Sequence, residues 1–370
     1  MISTRQHAVF DYAAVTGLAM LAGSRRVPWP VRGVLAVAGT AALAAQTNYE
    51  GGVVPRVGMR AHLVLDAVAG VALCGAGLAL RRRHDGGSAL LLALGVVQVA
   101  IAVRTQAEVV EGPGTGSGLV GRMTGREVRA GYAPLDVPKR VAEGVFVVDS
   151  VMAGPLGLVL PVRMTVIVLP DGGLVLHSPT RFSTPLLSAL QAIGPVQHLM
   201  APNSAHWTFI KSWQAACPAA VTWAAPGLRE RRQVRLSGVR LDRDLMDGSP
   251  VEWGGAIRLA TVPGALGFRE VTLFHPASRT LVLTDLVLNL EAEKLPAPLR
   301  PGARLVGVVA PDGQAVPWLR ALILLRRTEA KRAMAAVLQE GPERVIFAHG
   351  AWFEHDGEAR LRRALRWLLV

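Results

Sequence analysis

Cysteine is nearly absent from this 370-residue chain. Its two residues, Cys74 and Cys217, lie far apart, so neither a disulfide framework nor a Cys-rich zinc site can be built. Charge is also scarce: Asp, Glu, Lys and Arg make up 18% of the chain against 51% hydrophobic residues, too apolar a balance for one purely soluble domain. Lysine is missing altogether before residue 119. Residues 1–118 hold 10 Arg and 6 acids, net +4, so the remaining +9 of the total +13 falls on 119–370. No aromatics interleave with the Arg clusters and no nucleic-acid-binding signature is present, so the basic excess predicts no nucleic-acid partner. It reads instead as membrane-flanking Arg on a high-Arg composition.

What the first half does contain is four apolar segments, at 7–23, 31–46, 61–80 and 87–103. Each lies near the roughly 17–25 residues that cross a hydrocarbon core. A secretory signal is a poor alternative for the first, because His7, Asp11 and Tyr12 fall where its apolar region should begin. These segments predict a four-helix transmembrane bundle over 1–108, with Gly and Ala letting helix backbones approach closely. The expected partner is the lipid bilayer and the expected location the bacterial inner membrane. Arg residues divide six to five between the two sides and leave orientation open, with the cytoplasmic side favoured for the second half.

A duplication is written into these segments. His7-x3-Asp11 opens the first and His62-x3-Asp66 the third, 55 residues later; Thr47-x2-Glu50 closes the second and Thr105-x2-Glu108 the fourth, 58 residues later. Two coincidences at nearly one period indicate a repeated helix pair. In each odd helix His and Asp stand one turn apart on one face, so all eight polar residues are expected at one membrane surface. A hydrogen-bonded layer that locks the bundle, a proton or ion site, and a ligand or partner site all fit that arrangement. The His-x3-Asp helix starts and the NYEGG turn at 48–52 are similar to the small bacterial membrane modules described as SPW-repeat proteins, although the Ser-Pro-Trp tripeptide is absent.

Residues 109–144 are rich in Gly, Pro and charge and read as a linker. From 145 onward, short β-rich runs alternate with helical stretches at 184–193, 206–217, 317–339 and 357–369, which points to an α/β layered domain over 145–370. RMTVIVLPDGGLVLHSP forms a hairpin, because Pro170-Asp171-Gly172-Gly173 supplies turn chemistry between two apolar runs. Asp149, Pro155, Pro161 and Arg163 interrupt 145–169 and exclude a fifth span.

The order RMTVIVLPDGGLVLHSP, GPVQHLMAPNSAHWTFIKSW, LFHPASRTLVLTDLVLNL, RVIFAHG resembles a bacterial family of unknown function within the metallo-β-lactamase-like superfamily. That resemblance implies an αββα sandwich with any site at the strand ends between its sheets. Active members of the superfamily carry a His-x-His-x-Asp-His run that helps bind two divalent metals. Here the corresponding stretch is Pro202-Asn203-Ser204-Ala205-His206-Trp207, with one ligand in place of four. Asp285 looks like the bridging Asp and His349 like the terminal His, while near the intermediate His only Glu270 could donate. The resemblance therefore implies a degenerate site: either no metal, or a single Zn or Fe on His206, Asp285 and His349.

His177, Ser178 and Asn203, with His275 nearby, are expected to line a polar pocket for a small-molecule ligand. A nucleophilic pair of Ser178 or Ser204 with His206 is a further arrangement, although no elbow motif supports it. The leading expectation is a membrane-anchored ligand-binding or sensing protein with a degenerate metallo-hydrolase-like domain. Its rivals are a mononuclear metal-dependent hydrolase or oxidoreductase using Asp285, His349 and His206, and a small transporter in the first half.

Overall fold

The computed structural model describes residues 59–80, 85–104, 129–153 and 159–370. The chain divides into two compact units, residues 1–119 with 154–158, and residues 120–153 with 159–370.

In the first unit, helix α1 (Met59–Leu80) packs against α2 (Asp85–Arg104). Glycine permits the close approach: a Cβ on Gly70 would stand 2.8 Å from the carbonyl oxygen of Gly95, and one on Gly77 2.9 Å from that of Ser88. Among the described residues, no helix is long and apolar enough to cross a membrane. The expected four-helix transmembrane bundle, the membrane anchor and the inner-membrane location are corrected on that finding. Of the polar layer, His7, Asp11, Thr47, Glu50, Thr105 and Glu108 lie outside the described residues. His62 and Asp66 fall on the backbone of α1, their side chains outside the description.

The second unit begins with strand β1 (Pro138–Ala142), inside the stretch read as linker. There follow β2 (Val145–Ala153), β3 (Val159–Val168), β4 (Leu174–His177), α3 (Thr184–Gln191), β5 (Val196–Ala201), α4 (Ile210–Ala216), β6 (Val221–Ala224), α5 (Arg232–Ser237) and β7 (Arg243–Asp244). These strands form one seven-stranded sheet in sequence order, antiparallel from β1 to β4 and parallel from β4 to β7. The β3–β4 turn closes as its residues dictate: Asp171 Oδ1 accepts the amide of Gly173 at 2.9 Å, and Leu169 N donates to Gly173 O at 2.8 Å.

After β7 come β8 (Arg258–Pro263), β9 (Arg269–His275), β10 (Thr280–Val282), β11 (Leu288–Asn289), α6 (Arg300–Val306), α7 (Pro317–Leu324), α8 (Arg327–Gln339), β12 (Arg344–Ile346), β13 (His349–Gly350), α9 (Gly357–Ala364) and α10 (Arg366–Leu369). A four-stranded sheet runs β12-β10-β9-β8, and β11 pairs in parallel with β13. The expected helix at 317–339 is thus two helices, and its partner at 357–369 also breaks in two.

Strand alternation builds the layers. On β4, Leu174 and Leu176 face α3, α4 and α5 in one core, while Val175 turns the other way. On β9, Val271 and Leu273 turn inward and Phe274 outward, against α7–α10. Val147, Ile167, Met200 and Trp223 of the first sheet then meet Leu259, Val282 and Ile346 of the second between the sheets. Because both faces of both sheets are covered, the strands read as nearly continuous apolar runs. The architecture is an αββα sandwich, the metallo-β-lactamase-like layering that the resemblance implied.

Candidate metal centre

Four strands end at one edge of the sandwich, and chemistry-bearing residues follow each of them. Ser178 comes after β4, Asn203 to His206 after β5, Asp285 after β10, and His349 after β12. Residues just past the carboxyl ends of parallel strands occupy a crevice no sheet hydrogen bond fills, the usual place for a site in layered α/β folds.

His206, Asp285 and His349 converge, with one potential ligand atom from each lying within 4.8 Å of the others. Nε2 of His206 stands 3.2 Å from Asp285 Oδ1, and Nε2 of His349 stands 3.4 Å from the same oxygen. These side chains are 11%, 20% and 15% exposed in the order His206, Asp285, His349. The far nitrogens are tied behind them: His206 Nδ1 lies 2.5 Å from Ser178 Oγ, and His349 Nδ1 lies 2.9 Å from the Pro161 carbonyl oxygen. A carbonyl can only accept, so Nδ1 of His349 carries a proton. Its Nε2 is then the nitrogen that faces Asp285.

The donor set fits a divalent cation. Tetrahedral coordination at metal–ligand distances of about 2.0–2.1 Å separates neighbouring donors by about 3.3 Å, and the two nitrogen–oxygen separations here are 3.2 and 3.4 Å. Two imidazoles and a carboxylate suit Zn²⁺ or Fe²⁺. Each ring is also held from behind through its other nitrogen, as metal-ligating histidines usually are.

Asn203 and Glu270 organise the carboxylate. Asn203 Nδ2 donates to Asp285 Oδ2 at 2.7 Å, to Thr284 Oγ1 at 3.0 Å and to Glu270 Oε2 at 3.4 Å. Its Oδ1 accepts the amides of Ala205 and His206 at 2.8 and 3.1 Å, an Asx turn that aims His206 at the cluster. Glu270, fully buried, accepts the amides of Thr284 at 2.8 Å, Asp285 at 2.9 Å and Leu286 at 3.4 Å. The carboxylate considered as a stand-in for the superfamily's intermediate His is therefore spent on the backbone. No dinuclear set of donors assembles among the described residues.

The electrostatics follow from this packing. Burial alone lowers His206, but the charge of Asp285 and its hydrogen bond overcome that and raise the imidazole above its ordinary value. Burial opposes ionisation of Asp285, yet the charge and hydrogen bond of His206, with those of His349, hold it well below the usual carboxylate range. Glu270 is pushed up by burial and then by the Asp285 charge. His177, 1% exposed, is pushed down to about 3 by burial and by neighbouring His206, and its Nε2 has no hydrogen-bond partner.

Of the expected pocket residues, Ser178 and Asn203 bond directly into the cluster, and His177 borders it. His275 does not join. It closes β9, whose antiparallel pairing with β10 carries it to the end opposite Asp285, and its Nδ1 lies 2.8 Å from Ser278 Oγ. Two residues at the site carry no local signal in the sequence: Pro161, whose carbonyl holds His349, and Arg163, whose Nη1 donates to the Phe347 and Gly350 carbonyls on either side of His349. Both sit 40 or more residues from any site residue except Ser178 and His177, and no local spacing marks them. Trp213 and Trp223 are buried core residues.

Residues 144–306 match the profile of a family described as "Domain of unknown function (DUF4336)". No curated protein matches the chain. Among solved structures the chain is similar to the DIM-1 metallo-beta-lactamase exposed to ceftazidime, at 15% identity over 61% of this chain and 94% of that one, TM-score 0.43. Two similar structures are metallo-beta-lactamases from Hirschia baltica (12%, 62% and 96%, TM-score 0.44) and Pontibacter korlensis (13%, 62% and 98%, TM-score 0.40). The resemblance of the first half to SPW-repeat modules finds no support among these matches. The family match runs from the start of β2 to the end of α6 and, apart from residues 154–158, falls within the second unit.

Proposed function

We propose that the second unit is a mononuclear metal-dependent hydrolase, with one Zn²⁺ or Fe²⁺ held by His206, Asp285 and His349. The observation that carries this reading is the shared oxygen. Two imidazole Nε2 atoms face Asp285 Oδ1 at 3.2 and 3.4 Å while each ring is anchored through Nδ1. A cation bound there would supply Lewis acidity with coordination positions left open for a small-molecule substrate.

The chain's own residues do the positioning. The Pro161 carbonyl sets the tautomer and plane of His349. Asn203 orients Asp285 through Oδ2 and leaves Oδ1 to the two histidines. Glu270 holds the backbone of 284–286 so that the Asp285 side chain projects into the crevice. Loss of the superfamily's histidine run favours one cation over two, because nothing else in the cluster replaces those donors.

The test is elemental analysis of the purified full chain, with calorimetric titration by Zn²⁺ and Fe²⁺. The expected result is one ion per chain, abolished in Asp285→Ala. A natively folded chain that takes up neither metal overturns the proposal and returns the domain to a ligand-binding role.

A further inference from the structure

The same cluster contains a second constellation that the cation reading does not use. Ser178 Oγ lies 2.5 Å from His206 Nδ1, and on the opposite side of the ring Nε2 lies 3.2 Å from Asp285 Oδ1. Hydroxyl, imidazole and carboxylate therefore stand in one unbroken line. Asp285 is held in turn by Asn203 at 2.7 Å. A nucleophile within reach of a base, with the base oriented by a third group, is the general signature of an activated serine.

The backbone at Ser178 adds an independent observation. It is one of five non-glycine residues of positive φ among those described, at 54°. The chain leaves β4 at His177 and turns sharply at Ser178 before Pro179, while the amide of Ser178 still bonds to the carbonyl of Met200 on β5. A left-handed residue with a side chain is strained, and such strain concentrates at working sites. The turn reverses the alternation at the strand end: His177 stays buried beside the core, and the hydroxyl reaches the loop that carries His206.

We propose that Ser178 is the nucleophile of an acyl-transfer activity, with His206 as its base and Asp285 as the orienting group. The substrate class is a small ester. Ser178 Oγ bonds to the acyl carbon as its proton passes to His206 Nδ1. The bond from that carbon to the leaving oxygen breaks, and His206 returns the proton to the departing alcohol. Water then attacks the acyl-serine, gives its proton to His206, and releases the acid as the proton returns to Ser178. No co-reactant beyond water is needed. This activity goes beyond the cation reading and stands without it. The two compete for His206, since a cation on Nε2 would leave the ring proton on Nδ1, where it opposes proton transfer from Ser178.

The experiment is covalent labelling of the full chain, stripped of metal with a chelator, by an organophosphorus fluoride. Ser178 Oγ bonds to phosphorus, fluoride leaves, and the adduct is located by peptide mass spectrometry. The expected result is one adduct on Ser178, unchanged in Ser204→Ala and at least tenfold slower in both His206→Ala and Asp285→Asn. Circular dichroism of each variant confirms folding, and Asp285→Asn, which keeps size and shape, carries the test if His206→Ala unfolds. No adduct on Ser178 in the folded chain, or an adduct equally fast in Asp285→Asn, overturns the proposal. Metal uptake is measured on unlabelled chain, so failure of either reading leaves the other distinguishable.

Discussion

Nη1 of Arg163 lies 2.8 Å from the carbonyl oxygen of Gly350. The same nitrogen is 2.9 Å from the Phe347 carbonyl, so a residue of the seven-stranded sheet grips both ends of the segment that carries His349. Arg163 is buried, and Asp149 Oδ1 sits 2.6 Å from its Nη2.

Arg163→Met should therefore both destabilise the fold and loosen the cluster. Removing one partner of a buried ion pair typically costs about 3–5 kcal/mol, because the other charge is left uncompensated. Lys139 remains 2.5 Å from Asp149 and should keep the loss near the lower end. Urea unfolding reads the stability. Calorimetry with Zn²⁺ should show affinity weakened about 10–100-fold, as for other groups that orient ligands; unchanged affinity would separate Arg163 from the site.

Gly350→Ala tests the same segment from the other side. Gly350 has φ +94, and an added Cβ would overlap the carbonyl of Asn289 on the paired strand. Strain and displacement together should cost about 2–3 kcal/mol in urea unfolding and shift His349 next door, lowering Zn²⁺ affinity. A fully stable variant would mean that β11 and β13 separate easily.

Acid should unfold the second unit partly through His177. Its folded pKa, about 3, lies below the ordinary 6.5, so the unfolded chain binds a proton that the native one refuses. Stability is thus complete above about 6.5 and falls as pH drops toward 3, by up to about 1.4 kcal/mol per pH unit. His206, whose pKa is raised, acts in the opposite sense: its contribution is present below about 6.5 and lost as pH rises through its folded pKa. Guanidinium unfolding at pH 7 and pH 5 should show the acid slope in the parent and a flatter one in His177→Gln. Equal slopes would mean that His177 is solvated.

Cation binding should also register as stability. Zn²⁺ at 100 times its dissociation constant adds about 2.7 kcal/mol if it binds only the native state, visible as a higher Tm. Asp285→Asn should remove that increment, because a neutral amide supplies a weaker donor than the carboxylate facing both rings. A Tm insensitive to Zn²⁺ in the parent chain would count against the single-metal site.

Much of the second unit was legible from local chemistry. The Pro170-Asp171-Gly172-Gly173 turn and its flanking apolar runs specify a hairpin from a few residues, and the alternation of strand and helix signals specifies covered sheets. His206, Asp285 and His349 were nameable because each follows a strand in an order similar to a known family. The helix break near Leu325 was not legible, since no glycine or proline marks it. Nor was the exclusion of His275, because its place depends on the direction in which β9 pairs with β10. In the first half, apolar runs alone predicted membrane spans, but run length is a property of the chain and crossing is a property of the helices that form.

Residue order by itself determined which faces of each strand are apolar, where the turns come, and which side chains able to bind metal or act as bases exist at all, since these depend on neighbours a few positions away. Only tertiary structure decided that Ser178, His206, Asp285 and His349 share one crevice, and that Glu270 is consumed by backbone amides. Those facts depend on the pairing of strands and the stacking of two sheets, which bring together residues more than 170 positions apart.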